Sequence, residues 1–186
     1  MHNHLDPMPA FSRLFAATVL AICVAPAMAA NSHDEFMANW KSLCGQRFEG
    51  AMTYPIDPKH DFAGKLLVAQ ASSCSDTEIR VPLHVGEDRS RTWIITRTAT
   101  GLYLRHDHRH ADGTPDVQTV YGGPTNEQGS SMAQSFFADT YTAELIKGAV
   151  TNIWTITLSP DRNTLTYHLE RDRKPRVTVV FKRATP

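Results

Sequence analysis

The hydrophobic pattern of the chain changes period once, close to Gly45. Before this glycine, four large apolar residues recur at the spacing of one helix face, which predicts a short amphipathic helix over residues 33–43. They are Phe36, Met37, Trp40 and Leu43. After the glycine, apolar and polar positions alternate with a period of two, first over residues 47–54. The pattern therefore predicts one short helix followed by strands.

Further strands are predicted along the rest of the chain, with turn residues between most of them. They cover residues 65–72, 76–85, 91–98, 102–110, 117–122, 131–137, 150–158, 164–172 and 175–183. Only residues 140–147 have a helical pattern again. Short strands joined mostly by hairpin-length connections favour a mainly β fold, a single antiparallel up-and-down barrel of about eight to ten strands. A sandwich is the alternative, but its Greek-key topology needs longer crossing connections.

The first thirty residues have the pattern of a secretory signal peptide. Arg13 precedes an apolar run from Leu14 to Ala30, and small residues at Ala27 and Ala29 form an A-x-A cleavage site. We expect cleavage after Ala29, which divides the chain into a signal peptide, residues 1–29, and one barrel domain, residues 30–186. A spanning helix is the competing interpretation, but Pro26 interrupts the run before the roughly 20 apolar residues that a bilayer requires. We therefore expect export to the periplasm or the medium, with no stable membrane anchor after cleavage.

The expected export determines what we expect of the cysteines. Of the three cysteines, Cys23 would leave with the signal peptide, so that Cys44 and Cys74 remain. Two cysteines in an oxidising compartment most simply form one disulfide. A reactive or metal-binding pair is the weaker alternative, because the C-x-x-C spacing is missing.

Charge and composition exclude several function classes. Lys and Arg number 19 and Asp and Glu number 19, so the formal net charge is zero. A neutral chain gives no reason to expect a nucleic-acid partner, which proteins bind with excess basic charge. With 41% hydrophobic residues, the composition also argues against a disordered or fibrous chain.

The richest chemistry lies in residues 101–113, which read GLYLRHDHRHADG. Period two places three histidines on the same face as two leucines, so the histidines continue an apolar stripe. The residues on this face are Leu102, Leu104, His106, His108 and His110. If Thr100 and Gly101 form a two-residue hairpin loop, the preceding strand places Trp93 opposite His108 and Arg91 opposite His110.

This strand admits three interpretations. A small organic ligand, anionic or amphipathic, would bind at the polar end of the barrel interior, against Arg91, Trp93, His106, His108 and His110. Alternatively, a zinc or copper ion would bind two neighbouring histidines, His106 with His108 or His108 with His110, and a further ligand, His84 or His168, from another strand. In the third interpretation the histidines are simply solvated beyond the sheet edge. The ligand site is our prediction, without a cofactor; the metal site is the alternative.

Catalysis has less support. A histidine acid or base usually has a carboxylate partner, but Asp107 points to the opposite face from His106 and His108. Neither Ser90 nor Ser130 lies in a G-x-S-x-G motif. We predict no catalytic residue, and an enzyme acting on a small molecule through a histidine is the last alternative.

The order of elements resembles that of a lipocalin-like, calycin-type barrel over most of residues 33–183. The strings CSDTEIR at 74–80, HVGEDRSRTW at 84–93 and HDHRH at 106–110 also resemble those of uncharacterised exported bacterial proteins. The G-x-W motif of lipocalins near the first strand is missing. The resemblance implies a cup for a small molecule or lipid, and it assigns no catalytic residue and no oligomeric state.

Overall fold

The computed structural model describes Met1, residues 31–127 and residues 129–185. Apart from Met1, the predicted signal peptide lies outside the described residues. Among the described residues, no helix has the length and apolar character to cross a bilayer.

Helix α1, Ser32–Ser42, forms where the sequence predicts it. The side chain of Asn31 caps the helix by accepting from the His33 amide at 2.9 Å, and the acidic Asp34 and Glu35 lie in the first turn, where the helix dipole favours them. Its apolar face, with Phe36, Met37 and Trp40, is buried in the barrel core. Asp34 also accepts from the Arg97 guanidinium at 2.6 Å. The helix is therefore fastened to the barrel on both its polar and its apolar side.

The remaining elements are strands with two short helical segments between them. The strands are β1 Arg47–Tyr54, β2 Leu67–Gln70, β3 Ser73–Cys74, β4 Glu78–Val85, β5 Asp88–Arg97, β6 Leu102–His108, β7 Tyr121–Pro124, β8 Ala133–Phe137, β9 Ile153–Leu158, β10 Thr164–Arg171 and β11 Lys174–Arg183. Helix α2, Thr140–Leu145, and a 3₁₀ turn, Ala149–Thr151, connect β8 to β9.

The strands form a nearly closed antiparallel barrel with the predicted up-and-down order. Ten strands follow one another as β7-β6-β5-β4-β2-β1-β11-β10-β9-β8, and β3 adds to β4 at one end. The first and last strands pair along their length, from Phe48 with Arg183 to Tyr54 with Thr178. The predicted fold class is thus confirmed, and the barrel is compatible with a lipocalin-like fold.

The barrel lacks a continuous ladder of hydrogen bonds at the seam between β7 and β8. Among the described residues, the backbone contacts that join the two sides of this seam are an isolated bridge, Thr125 with Phe136, and a hydrogen bond of 3.0 Å from the Asp139 amide to the Gly122 carbonyl. Helix α2 reinforces the seam, since the buried Thr142 hydroxyl donates to the same carbonyl at 2.8 Å. The seam therefore closes through side-chain and single backbone contacts rather than through a ladder.

The two ends of the barrel differ. At one end, which we call the closed end, α1 packs under the β5–β6 turn and covers the interior. The other end, which we call the mouth, carries the connections 55–66, 86–87, 109–120, 138–152 and 172–173. Between the two ends, inward-facing side chains alternate with outward-facing ones along the strands. In β4 the inward-facing side chains are the buried Ile79, Val81, Leu83 and Val85.

The predicted disulfide is formed. Cys44 and Cys74 have their sulfur atoms 2.08 Å apart and close a loop of 30 residues in sequence separation. The bond ties the residues that follow α1 to the short strand β3.

Two predicted strand positions need correction. The strand predicted at 117–122 is displaced to Tyr121–Pro124, because residues 109–120 form a long connection of turns held by side-chain bonds such as Thr114 to Asp112 at 2.6 Å. The strand predicted from residue 150 begins at Ile153, since Ala149–Thr151 is a 3₁₀ turn.

Candidate functional site

The pairing of β5 with β6 determines which side chains stand beside the histidines. Arg91 pairs with His108, and Trp93 pairs with His106. The predicted pairing of Trp93 with His108 is therefore wrong by two residues. Because the error is an even number, the division of side chains between the two faces is unchanged.

The turn between these strands explains the difference. Its central residues are Ala99 and Thr100 rather than Thr100 and Gly101, since the Thr98 amide donates to the Gly101 carbonyl at 2.8 Å. The Gly101 amide in turn donates to the Thr98 hydroxyl at 3.1 Å. The Arg97 guanidinium donates to the Gly101 carbonyl at 3.0 Å as well. Side-chain bonds thus fix the turn, and these are not visible in the alternation pattern.

His106 is a buried core residue, only 3% exposed. Its Nδ1 lies 3.3 Å from the carbonyl oxygen of Tyr121, which can only accept, so Nδ1 carries the proton. Its Nε2 then accepts from the Tyr167 hydroxyl at 3.0 Å. The imidazole is neutral, because burial lowers the pKa of His106 to about 3.

An aromatic layer surrounds His106 and fills the barrel at this height. The imidazole stacks on Tyr121 with centroids 4.7 Å apart, and Trp93 stacks on Tyr167 with centroids 4.8 Å apart. Trp154 lies 5.2 Å from the imidazole. Toward the closed end, the interior is packed with buried apolar side chains such as Ile95 and Leu104. The space for a ligand therefore begins above the aromatic layer, not in the depth of the barrel.

A cavity of about 380 Å³ opens above this layer at the mouth. Its lining contains both apolar and polar side chains. The apolar and aromatic residues are Phe62, Tyr121, Ile146, Trp154, Tyr167, Leu169 and Val177; the polar and charged ones are His60, Asp61, Arg91, His108, Asp116, Gln118, Asn152 and Arg171. This combination of an apolar floor and polar walls is typical of small-molecule sites.

The two arginines of the cavity differ in what they contact. Arg91 forms a salt bridge with Asp88, and its guanidinium lies 5.9 Å above the ring of Phe62. Arg171 donates from Nε to the Asn152 side-chain oxygen at 2.7 Å. Among the described residues, no carboxylate lies within 4 Å of the Arg171 guanidinium. Its terminal nitrogens are therefore the better placed of the two to bind an anionic group.

His108 completes the polar wall. The Tyr121 hydroxyl lies 3.4 Å from His108 Nε2. Burial and the nearby Arg91 lower the pKa of His108, while Asp116 and Asp88 act in the opposite direction. Burial also raises the pKa of Tyr121 to about 12. The pair is therefore uncharged near neutral pH.

The other candidate residues lie elsewhere. His110 is exposed, outside this cavity, on the loop that follows β6. His84 faces outward between the buried Leu83 and Val85, and His168 faces outward with its Nδ1 2.7 Å from the Thr178 hydroxyl. The structure thus brings Arg91, Trp93, His106 and His108 together and leaves out the rest.

This placement does not assemble the alternative metal site. His106 faces the interior, whereas His84 and His168 lie on the outer surface of the barrel. Within the described residues, no three His, Cys, Asp or Glu side chains stand where they could share an ion. Asp107 is on the outer face as predicted, but it is largely buried there by Arg109 at 3.0 Å and the Thr119 hydroxyl at 3.2 Å.

Most residues that line the cavity are not among the predicted ligand-binding residues. Tyr167 and Arg171 share the inward parity of the buried Leu165 on β10, so the alternation of that strand contained the signal. Tyr121 belongs to the displaced strand β7, and Phe62 lies in a loop without alternation. No local pattern could have placed these two.

A comparison of the chain with models of protein families and with curated proteins finds no match. The expected membership in a group of exported bacterial proteins stays a prediction.

Proposed function

We propose that this chain is an exported β-barrel that binds one small amphipathic molecule in the cavity at its mouth. The observation that carries the proposal is the cavity itself, about 380 Å³ with an aromatic floor and two arginines in its wall. Such a volume falls in the range of ordinary small-molecule sites. The ligand position differs from the first expectation in depth, because the aromatic layer fills the barrel below it.

The chemistry of the lining defines the ligand class. An apolar or aromatic part of the ligand would pack on Tyr121 and Trp154, whose ring centroids lie 6.0 Å apart. An anionic group, such as a carboxylate or sulfonate, would bind the terminal nitrogens of Arg171. Asp61 and Asp116 also line the cavity, so a ligand with one anionic group rather than several fits the charges best.

Support for export comes from the disulfide and from the first thirty residues. Cys44 and Cys74 are bonded, which suits an oxidising compartment. The signal-peptide pattern at residues 1–29 points to the same compartment.

A pair of fluorescent probes tests the ligand class. Anilinonaphthalene sulfonate is anionic, and N-phenylnaphthylamine has a similar apolar body without the charge. We expect both to bind the cavity, and Arg171→Gln to weaken binding of the sulfonate about tenfold while leaving the neutral probe unchanged, since one charge-assisted contact is worth roughly that factor.

Arg183→Gln, an exposed arginine at the closed end, is the matched control and should change neither titration. Tyr121→Ala should weaken both probes, because it removes part of the floor. Absence of binding by both probes, together with no co-purifying molecule in native mass spectrometry, would overturn the proposal.

A further inference from the structure

Exposed apolar side chains are confined to one end of the barrel. Leaving Met1 aside, every large apolar residue that is exposed among the described residues lies at the mouth. They are Tyr54, Ile56, Leu66, Val117, Val120, Tyr141 and Val150. Ile56 is 97% exposed, Val117 83% and Val150 66%. Several apolar residues exposed at the same end of a protein point to an interaction surface there.

A basic hairpin lies within this surface. The tip between β10 and β11 reads RDRKPR over residues 171–176, with Arg173, Lys174 and Arg176 all exposed. Asp172 is the one acidic residue of the tip, and it accepts from the Thr151 hydroxyl at 2.7 Å; Glu170 precedes the tip on β10. No carboxylate lies within 4 Å of these three cations in the described part of the chain.

Apolar side chains border the hairpin on both sides. On one side β1 pairs with β11, so Tyr54 lies opposite Thr178 and is followed by Ile56. On the other side the 3₁₀ turn with Val150 is joined to the hairpin through Thr151 and Asp172. A groove of about 390 Å³ runs between that turn and the hairpin, lined by Phe137, Val150 and Arg173 among others. The cations of the hairpin thus lie near exposed aliphatic side chains.

This mixture suits the surface of a bilayer that contains anionic lipids. Basic residues are attracted to the phosphates, and aliphatic tips enter the boundary of the acyl chains beside them. A nucleic acid would bind the cations but would leave the apolar side chains exposed to water.

We propose that the mouth of the barrel docks on anionic membrane surfaces through Arg173, Lys174 and Arg176 of the β10–β11 hairpin and through the flanking residues Ile56 and Val150. The cavity then opens toward the lipid. This docking does not depend on which molecule the cavity binds, so it stands or falls separately from the proposed ligand binding.

Sedimentation with lipid vesicles tests the proposal. The intact barrel, residues 30–186, should pellet with vesicles of phosphatidylcholine containing 30% phosphatidylglycerol and remain in the supernatant with phosphatidylcholine alone. Raising the salt concentration should weaken the binding, because the attraction is screened.

Strand β11 supplies a matched pair of variants. Lys174→Glu with Arg176→Glu reverses two charges at the mouth, and Lys182→Glu with Arg183→Glu makes the same change at the closed end of the same strand. We expect the mouth variant to lose at least tenfold in vesicle affinity and the control to lose less than twofold. All four residues are exposed, and thermal unfolding verifies that both variants fold.

Ile56→Ser with Val150→Ser tests the apolar part and should weaken binding at least threefold. Equal losses in the two charge variants would show that only overall charge matters and would overturn the proposal. Binding to neutral vesicles with equal affinity, or no binding to anionic vesicles, would overturn it as well.

Discussion

Acid should destabilise this barrel in part through one buried residue, His106. The neutral imidazole donates to the Tyr121 carbonyl and accepts from the Tyr167 hydroxyl, inside a layer of aromatic rings. A second proton on Nε2 would remove the acceptor that Tyr167 uses and would place a charge in an apolar interior. The folded barrel therefore resists a proton that the unfolded chain accepts readily.

The size of the effect follows from the two pKa values. The pKa of His106 is 6.5 in the unfolded chain and about 3 in the folded barrel. Because the folded value is the lower one, the contribution of His106 to stability is fully present above pH 6.5 and is lost as the pH falls from 6.5 toward 3. At pH 5 the free energy of unfolding is about 2 kcal/mol lower than at pH 8 because of His106, since each pH unit in this window costs about 1.4 kcal/mol.

Urea unfolding of the wild type and of His106→Gln, followed by circular dichroism from pH 8 to pH 5, measures this loss. A glutamine amide can accept from Tyr167 and does not titrate, so the variant should lose about 2 kcal/mol less than the wild type over this range. His108 and His84 also have lowered pKa values, but they titrate in both proteins and cancel in the difference. Equal pH dependence in the two proteins would refute the reasoning.

Three further perturbations test other parts of the structure. Tyr167→Phe removes the buried hydroxyl that donates to His106 and should lower the free energy of unfolding by about 1–3 kcal/mol. Tyr141→Phe removes a half-exposed hydroxyl and should cost under about 1 kcal/mol in the same urea titration. Replacing Cys44 and Cys74 by serine opens a loop of 30 residues in sequence separation and should cost about 3–4 kcal/mol; unchanged thermal unfolding would contradict it. Gly123→Ala would place its Cβ 1.7 Å from a carbonyl oxygen of β8, so we expect a loss of about 3 kcal/mol or more, visible as a lowered melting temperature.

The fold was predictable because it depends on local alternation. Buried residues alternate with more exposed ones along β4 and along the first half of β10, and turn residues mark where the strands end. The disulfide followed from counting cysteines. Most strands were therefore predictable from the two-residue period of apolar positions and from the turn residues that interrupt it.

The cavity was predictable only in part, because it is made where distant segments meet. Parity placed Arg91 and Trp93 on the histidine face, and this holds in the structure. The floor, however, depends on Tyr121 from β7 and Trp154 from β9, which reach His106 from other strands. Alternation assigns a side chain to a face but says nothing of its neighbours across the barrel.

The seam between β7 and β8 also bears on how the barrel folds. Ten strands of the barrel form one rolled sheet, and its central ladder pairs β1 with β11. This ladder joins Phe48 to Arg183, which are far apart in sequence. That ladder cannot form until nearly the whole chain has been made, and contacts so distant in sequence slow folding. The hairpins β4–β5–β6 and β9–β10–β11 are local, so they can form first. Two preformed half-sheets would then meet where β1 pairs with β11. The seam between β7 and β8, where Thr142 contacts Gly122, would form last in folding and would open first in unfolding.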